Sequence, residues 1–154
     1  MTTRHSLAAD AAPAGYILPK LQPLYAALSP VALTYMRVIA GIAFMAHGLP
    51  KIMNPMGAVG MVEGIGFQPG WLWSPALAGT EFIGGLLLVL GLLTRPAALA
   101  TSIVLMVTTY FHWILKAEGY AGAELSLIWL GITLYFAVHG GGRWSLDRLI
   151  GRQF

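Results

Sequence analysis

The sequence predicts an all-α integral membrane protein: a four-helix transmembrane bundle with its N and C termini cytoplasmic. Three observations predict it. Of the 154 residues, 57% are hydrophobic and only 10% are charged, and the mean hydropathy is +0.72. A soluble domain carries about 25% charged residues, so too little polar material is present to cover a water-facing surface. Four stretches approach the roughly 20 apolar residues that a helix needs to cross a hydrocarbon core of about 30 Å. Lysine and arginine are also distributed unequally about those stretches, as in membrane proteins that keep their basic loops inside.

Residues 1–30 form a tail rich in alanine and proline, with Pro13, Pro19, Pro23 and Pro30. It lacks the apolar run behind basic residues that marks a signal peptide. Tyr16, Ile17, Leu18, Leu21, Leu24 and Tyr25 suit the membrane surface, and a mobile tail is the alternative. Residues 31–139 hold the transmembrane domain, with spans expected over Val31–Leu49, Trp71–Leu93, Pro96–Leu115 and Ala121–His139. Thr94-Arg95 leaves room only for a tight hairpin, and Pro96 suits the first turn of a new helix. The loop from Lys51 to Gly70 is longer and rich in glycine; Trp71 and Trp73 follow it where an interfacial aromatic belt would sit. Ala76, Thr80 and Gly84, then Ala97-Thr101 and Ala98-Ser102, supply small residues at a spacing of four, which lets helices approach closely in lipid. Residues 140–154 make a short amphipathic segment. The glycines at 140–142 stop the fourth helix, Ser145 is a candidate cap, and Trp144, Leu146 and Leu149 suit the interface.

With four spans, Arg4, Lys20, Arg95, Arg143, Arg148 and Arg152 fall on one side and only Lys51 and Lys116 on the other. That bias places both termini in the cytoplasm. The nine basic residues never cluster, which excludes a nucleic-acid footprint. The absence of cysteine excludes disulfides, thiolate nucleophiles, Cys-ligated zinc and iron–sulfur clusters.

Ionisable side chains inside the membrane cost roughly 3 kcal/mol each on insertion scales and call for a partner or a purpose. At about 1.5 Å per residue, Arg37 lies roughly 9 Å in from the cytoplasmic side and Glu81 roughly 15 Å in from the other. They are the expected charge pair between the first two helices, either as a register lock or with a part in handling substrate or protons. His47 and His112 both fall about 24 Å from the cytoplasmic face. Lys51 and Lys116 lie one turn beyond them on nearly the same faces, and Thr101, Thr108 and His112 make a polar stripe. Glu124 begins the fourth span at that level. If these faces converge, they line an outward-opening pocket of His47, His112, Glu124 and Lys51, with Glu81 nearby. Such a pocket suits proton relay to a quinone, a metal held by two histidines and a glutamate, or an anion. The plain alternative is interfacial histidines that touch water and headgroups. His139, before the glycine stop, is expected at the interface.

The combined pattern resembles the DoxX family of small four-helix bacterial membrane proteins. The matching residues are Arg37 with Ala46-His47-Gly48-Leu49-Pro50-Lys51, Glu81 with Gly84-Gly85, Leu93-Thr94-Arg95, and Gly142-Arg143-Trp144-Ser145-Leu146-Asp147. The resemblance covers roughly Thr34 to Leu149. It implies a place in the bacterial inner membrane and a link to quinone-dependent oxidoreduction, since the family takes its name from a subunit associated with thiosulfate:quinone oxidoreduction. Other members are associated with membrane complexes that handle oxidative stress. Related four-helix families reduce quinones with cysteines, and that dithiol mechanism does not carry over to a chain with none.

The resulting expectation is a quinone-linked redox subunit. In it, His47, His112 and Glu124 carry the proton chemistry, and Lys51, Arg37 and Glu81 hold the cofactor or one another. The expected partners are the lipid bilayer and a partner subunit or a second copy. The rivals are a non-enzymatic scaffold or assembly factor and, less favoured without an inverted repeat, a small anion or solute carrier.

Overall fold

The computed structural model describes residues 17–152; what the sequence suggests for residues 1–16 lies outside them. Six helices follow one another: α1 (Gln22–Met53), α2 (Val59–Gly64), α3 (Gly70–Leu90), α4 (Thr94–Tyr110), α5 (Gly119–His139) and α6 (Leu146–Ile150). A 3-10 turn, Pro19–Leu21, leads into α1, and a π-helical turn, Phe111–Leu115, prolongs α4. Four helices are long and apolar enough to cross a membrane: Pro19–Met53, Gly70–Leu90, Thr94–Leu115 and Gly119–His139. The first starts well before Val31. Pro23 sits in its first turn, where a missing N–H costs nothing, and Pro30 gives up one backbone bond without ending the helix.

The most extensive packing is α1 against α3, followed by α4 against α5 and α3 against α4; α1 meets α5 more lightly. The α1–α3 seam rests on three glycines: Gly48, where a Cβ would stand 2.5 Å from the Phe82 backbone nitrogen, and the facing pair Gly41 and Gly85. A Cβ on Gly41 would stand 2.6 Å from the Gly85 carbonyl oxygen, and one on Gly85 would stand 2.7 Å from the Gly41 carbonyl oxygen. The two backbones therefore touch where lipid offers no hydrophobic drive, as small-residue helix seams do. The stripe expected to do this, Ala76-Thr80-Gly84, faces elsewhere. Gly84 meets Thr101 on α4, while Ala76 and Thr80 line a cavity. Ala97, Ala98, Thr101 and Ser102 are all buried, and the hydroxyls of Ser102 and Thr133 lie 2.7 Å apart between α4 and α5. Phe44, Leu88, Ala97, Ala98, Leu105 and Phe136 form the apolar core.

At the end bearing the α3–α4 turn, the hairpin end, two charged side chains close the bundle. Gly91 and Leu93 adopt left-handed conformations, with φ of 67° and 48°, so the chain reverses within a few residues. The Arg37 guanidinium, 1% exposed, donates from Nη1 to the carbonyls of Leu88 (2.7 Å) and Val89 (3.2 Å) and from Nη2 to that of Trp144 (2.7 Å). It thus satisfies carbonyls in the last turn of α3, with a positive charge at the negative end of the helix dipole. Asp147, 4% exposed, does the reverse for α4. Its carboxylate accepts from the Leu93 N–H at 2.7 Å and the Thr94 N–H at 2.9 Å, and its own N–H donates to the Gly91 carbonyl at 2.9 Å. Ser145 caps α6 by accepting from the Arg148 N–H. The segment after α5 is therefore not only a surface anchor. Trp144 and Leu149 are exposed, but Asp147 turns inward as a cap borrowed by another helix.

The expected Arg37–Glu81 pair does not form. Arg37 is level with Leu88 and Val89, and Glu81 lies about 10 Å further along α3 at 1.5 Å per residue, beyond the reach of one side chain. Counting depth from the start of each apolar run misplaced Arg37, because α1 extends past the hairpin instead of starting level with it.

Candidate functional site

At the opposite end, the loop end, a cavity of about 610 Å³ opens between α1, α3, α4 and α5 beneath the segment that carries α2. The walls are mostly apolar, and Phe44, Phe67, Trp73, Phe111 and Trp129 supply aromatic faces. The polar side chains on its lining are His47, Lys51, Thr80, Glu81, Thr108, His112 and Ser126. An apolar cavity with a few convergent polar groups is the usual form of a small-molecule site.

The α2 segment covers it. Val62 is 3% exposed and lines the cavity with Met61, Ile65 and Phe67. Glu63 ties this cover to α3 by accepting from the Gly70 N–H at 2.8 Å. Ser74, also on α3, holds the stretch before α2, donating to the Pro55 carbonyl at 2.5 Å and accepting from the Ala58 N–H at 3.2 Å. Phe67 packs edge-on against Trp73 with ring centres 5.3 Å apart. Trp73, expected in an interfacial belt, is thus also part of the cavity wall.

Glu81, 7% exposed, is paired with Lys51 by an ion pair that is also a hydrogen bond. The direction of side chains on helices explains the match. Cα–Cβ bonds tilt towards each helix's N-terminus, so on antiparallel helices Lys51 leans down from α1 and Glu81 leans up from α3. The same α1 face carries His47, which is exposed on the cavity and has no hydrogen-bond partner among the described residues.

His112 reaches the cavity from the π-helical turn. Such a wide turn re-aims side chains and is frequent at functional sites. Its Nδ1 lies 2.6 Å from Oε2 of Glu118, and Lys116 Nζ lies 3.8 Å from the other carboxylate oxygen. Glu118, outside the spans, has its carboxyl held below the ordinary range, chiefly by the hydrogen bond with His112. Glu124, expected at this position, is exposed and lies off the cavity lining. The helix begins at Gly119 and turns Ala123 and Ser126 inward, which leaves Glu124 on the outer surface. Of the polar stripe on α4, Thr108 and His112 reach the cavity. Thr101 is sealed and bonds back to the Ala97 and Ala98 carbonyls. Among the described residues, no three His, Asp or Glu side chains converge on a common metal position.

His47, Lys51, Glu81 and His112 therefore share one cavity, while Arg37 and Glu124 stand apart from it. Sequence reasoning passed over Glu118, the aromatic walls and the α2 cover. The one sequence signal for Glu118 was its place between two spans beside Lys116 and six residues after His112. The missing local cap on α4, with Leu93 where a Ser, Thr, Asp or Asn would serve, was the signal for Asp147.

The DoxX family model matches residues 32–113, which hold α2, α3, α4 and most of α1 and stop within the π-helical turn, before Glu118 and α5. The protein belongs to the DoxX family. Its relatives extend the match further along the chain. "Inner membrane protein YqjF" of Escherichia coli is 31% identical over 82% of this chain and 98% of its own length. "Uncharacterized membrane protein Rv3486" of Mycobacterium tuberculosis is 30% identical over 90% of this chain and 93% of its own. "Putative oxidoreductase CatD" of Bacillus subtilis is 30% identical over 75% of this chain and 84% of its own. No solved structure matches the chain significantly.

Proposed function

We propose that this DoxX protein binds a quinone in the loop-end cavity and acts as the membrane subunit of a quinone-linked redox system in the bacterial inner membrane, with both termini cytoplasmic. The observation that carries the reading is the cavity itself: about 610 Å³, apolar and aromatic in its walls, with His47, the Lys51–Glu81 pair and His112 on its lining. A flat, apolar ring with carbonyl oxygens fits that combination. The aromatic walls pack the ring faces, and Lys51, His47 and His112 are the donors available to the oxygens. The relative named "Putative oxidoreductase CatD" and the one named "Inner membrane protein YqjF" support the class and the compartment. The basic residues at the hairpin end support the orientation.

Reducing one quinone takes two electrons and two protons. The chain has no cysteine to pass electrons through a dithiol, and in this reading the donor is a bound cofactor or a partner protein with its own redox group. The protons are the task of this chain. Glu81 and Lys51 hold one at the cavity wall, and the exposed His112–Glu118 pair exchanges with water at the mouth. General acid–base groups so placed contribute typically 10²–10⁴-fold. The α2 cover excludes bulk water from the wall formed by Val62 and Phe67.

The test is quinone binding, read by quenching of the fluorescence of Trp73 and Trp129, in wild type and His112→Ala. Saturable quenching by micromolar quinone is expected, weakened at least tenfold in His112→Ala while that variant inserts and stays monodisperse. Absence of saturable quenching in wild type, or an unaffected His112→Ala, would overturn the reading and favour the scaffold role. Native mass spectrometry of protein extracted gently from its own membrane should show retained quinone, a partner, or both.

A further inference from the structure

A second cavity, about 360 Å³, lies beside the first and is lined by Ile65, Phe67, Met106, Val107 and Tyr110. Three of these residues, Ile65, Phe67 and Val107, also line the first cavity, so the two meet along one wall where the α2 cover rests on α4. Its outer side is different in kind. Met106 is 46% exposed and Tyr110 50% exposed, both on the outward face of a membrane-spanning helix. At 1.5 Å per residue, Met106 stands about 18 Å and Tyr110 about 24 Å along α4 from Thr94. Both fall within a hydrocarbon core of about 30 Å. This groove therefore opens on the lipid-facing side of α4, close to the loop-end edge of the core. Apart from the Tyr110 hydroxyl its lining side chains carry no polar group, so it offers nothing to a hydrated solute and ample contact to a hydrocarbon chain.

We infer that the ligand is a quinone carrying an isoprenoid or alkyl tail, which enters sideways from the bilayer between the α2 cover and α4. The ring occupies the large cavity, and the tail lies in the groove of Ile65, Phe67, Met106, Val107 and Tyr110. The inference rests on the quinone reading and narrows it to a membrane-borne substrate. It also gives the α2 segment a purpose beyond shutting out water: Ile65 and Phe67 form one lip of the entrance, and Met106 and Tyr110 form the other. Because Glu63 and Ser74 anchor the cover at its α3 side, the unanchored contact with α4 is the side from which a tail can pass.

A decyl benzoquinone with a diazirine at the end of its tail tests this directly on the full chain in nanodiscs. Labels that excess unlabelled decyl benzoquinone competes away should map to Met106, Tyr110, Ile65 or Phe67. Competed labels on another face, such as the outward side of α5, would overturn the side entrance while leaving quinone binding intact. No competed label at all, together with no saturable tryptophan quenching, would overturn both. A variant gives a second reading. Met106→Phe narrows the groove alone, so it should weaken the decyl quinone at least tenfold and a tailless benzoquinone less than twofold, while Leu99→Phe, on the lipid face away from both cavities, should change neither. Equal losses for both ligands in Met106→Phe would also overturn the tail assignment.

Discussion

The two ends of the bundle treat their charges in opposite ways. At the hairpin end, Arg37 and Asp147 lie within electrostatic reach of each other, but their hydrogen bonds go to backbone: three carbonyls for the arginine, two N–H groups for the aspartate. At the loop end, Lys51 pairs with Glu81 and His112 with Glu118, side chain to side chain, around a cavity. A charge whose hydrogen bonds end on helix termini fixes where the chain goes and has little left to offer a ligand. A charge balanced by another side chain can exchange partners or protons when a ligand arrives. Ionisable residues inside a membrane are a functional signal by default, and the proposed function applies that default to the loop end only.

The comparison breaks most readily at Arg37. Arg37→Met removes the guanidinium from the Leu88, Val89 and Trp144 carbonyls, of which Leu88 keeps the Gly91 N–H at 3.2 Å, and each charge-assisted bond is worth roughly 1.5–3 kcal/mol. The expected loss is therefore about 3 kcal/mol or more, read as reduced abundance and a lower midpoint in detergent unfolding. A variant as stable as wild type would mean that the hairpin end is not a clamp. Asp147→Ala uncaps α4 and should cost about 1–2 kcal/mol in the same assay. In both variants, any protein that remains folded should still bind the quinone probe, because neither residue touches the cavity; selective loss of binding at full stability would erase the distinction between the ends.

The smallest effect sharpens the loop end. A carboxyl whose folded pKa is lowered contributes stability that is complete above its ordinary value and lost as pH falls through the folded one. For Glu118, with an ordinary value of 4.5 and a lowered folded one, the pair with His112 should persist at neutral pH and fail only below about 4.5. The Glu118 carboxyl carbon, followed by NMR, should titrate below the ordinary carboxylate range in wild type and move back towards it in His112→Ala, which removes the hydrogen bond that lowers it. Identical profiles in the two proteins would remove the pair.

The sequence by itself determined the number of spans, the short hairpin, the glycine stop and the cap at Ser145. These follow from local quantities: the length and apolarity of a run, set against the thickness of a bilayer, and the backbone preferences of glycine, proline and serine. It also brought His47, Lys51 and His112 to one end, because depth is counted along one helix at a time. Only the tertiary structure decided who pairs with whom. The start of α1 at Gln22 shifted Arg37 to the hairpin and left Glu81 to Lys51. A π-helical turn carried His112 to Glu118, and the start of α5 at Gly119 left Glu124 outside the cavity. Asp147 reached α4 from beyond α5. Each depends on the register and rotation between helices, which are set where Gly41 touches Gly85, and a single helix's periodicity carries no information about its neighbour's.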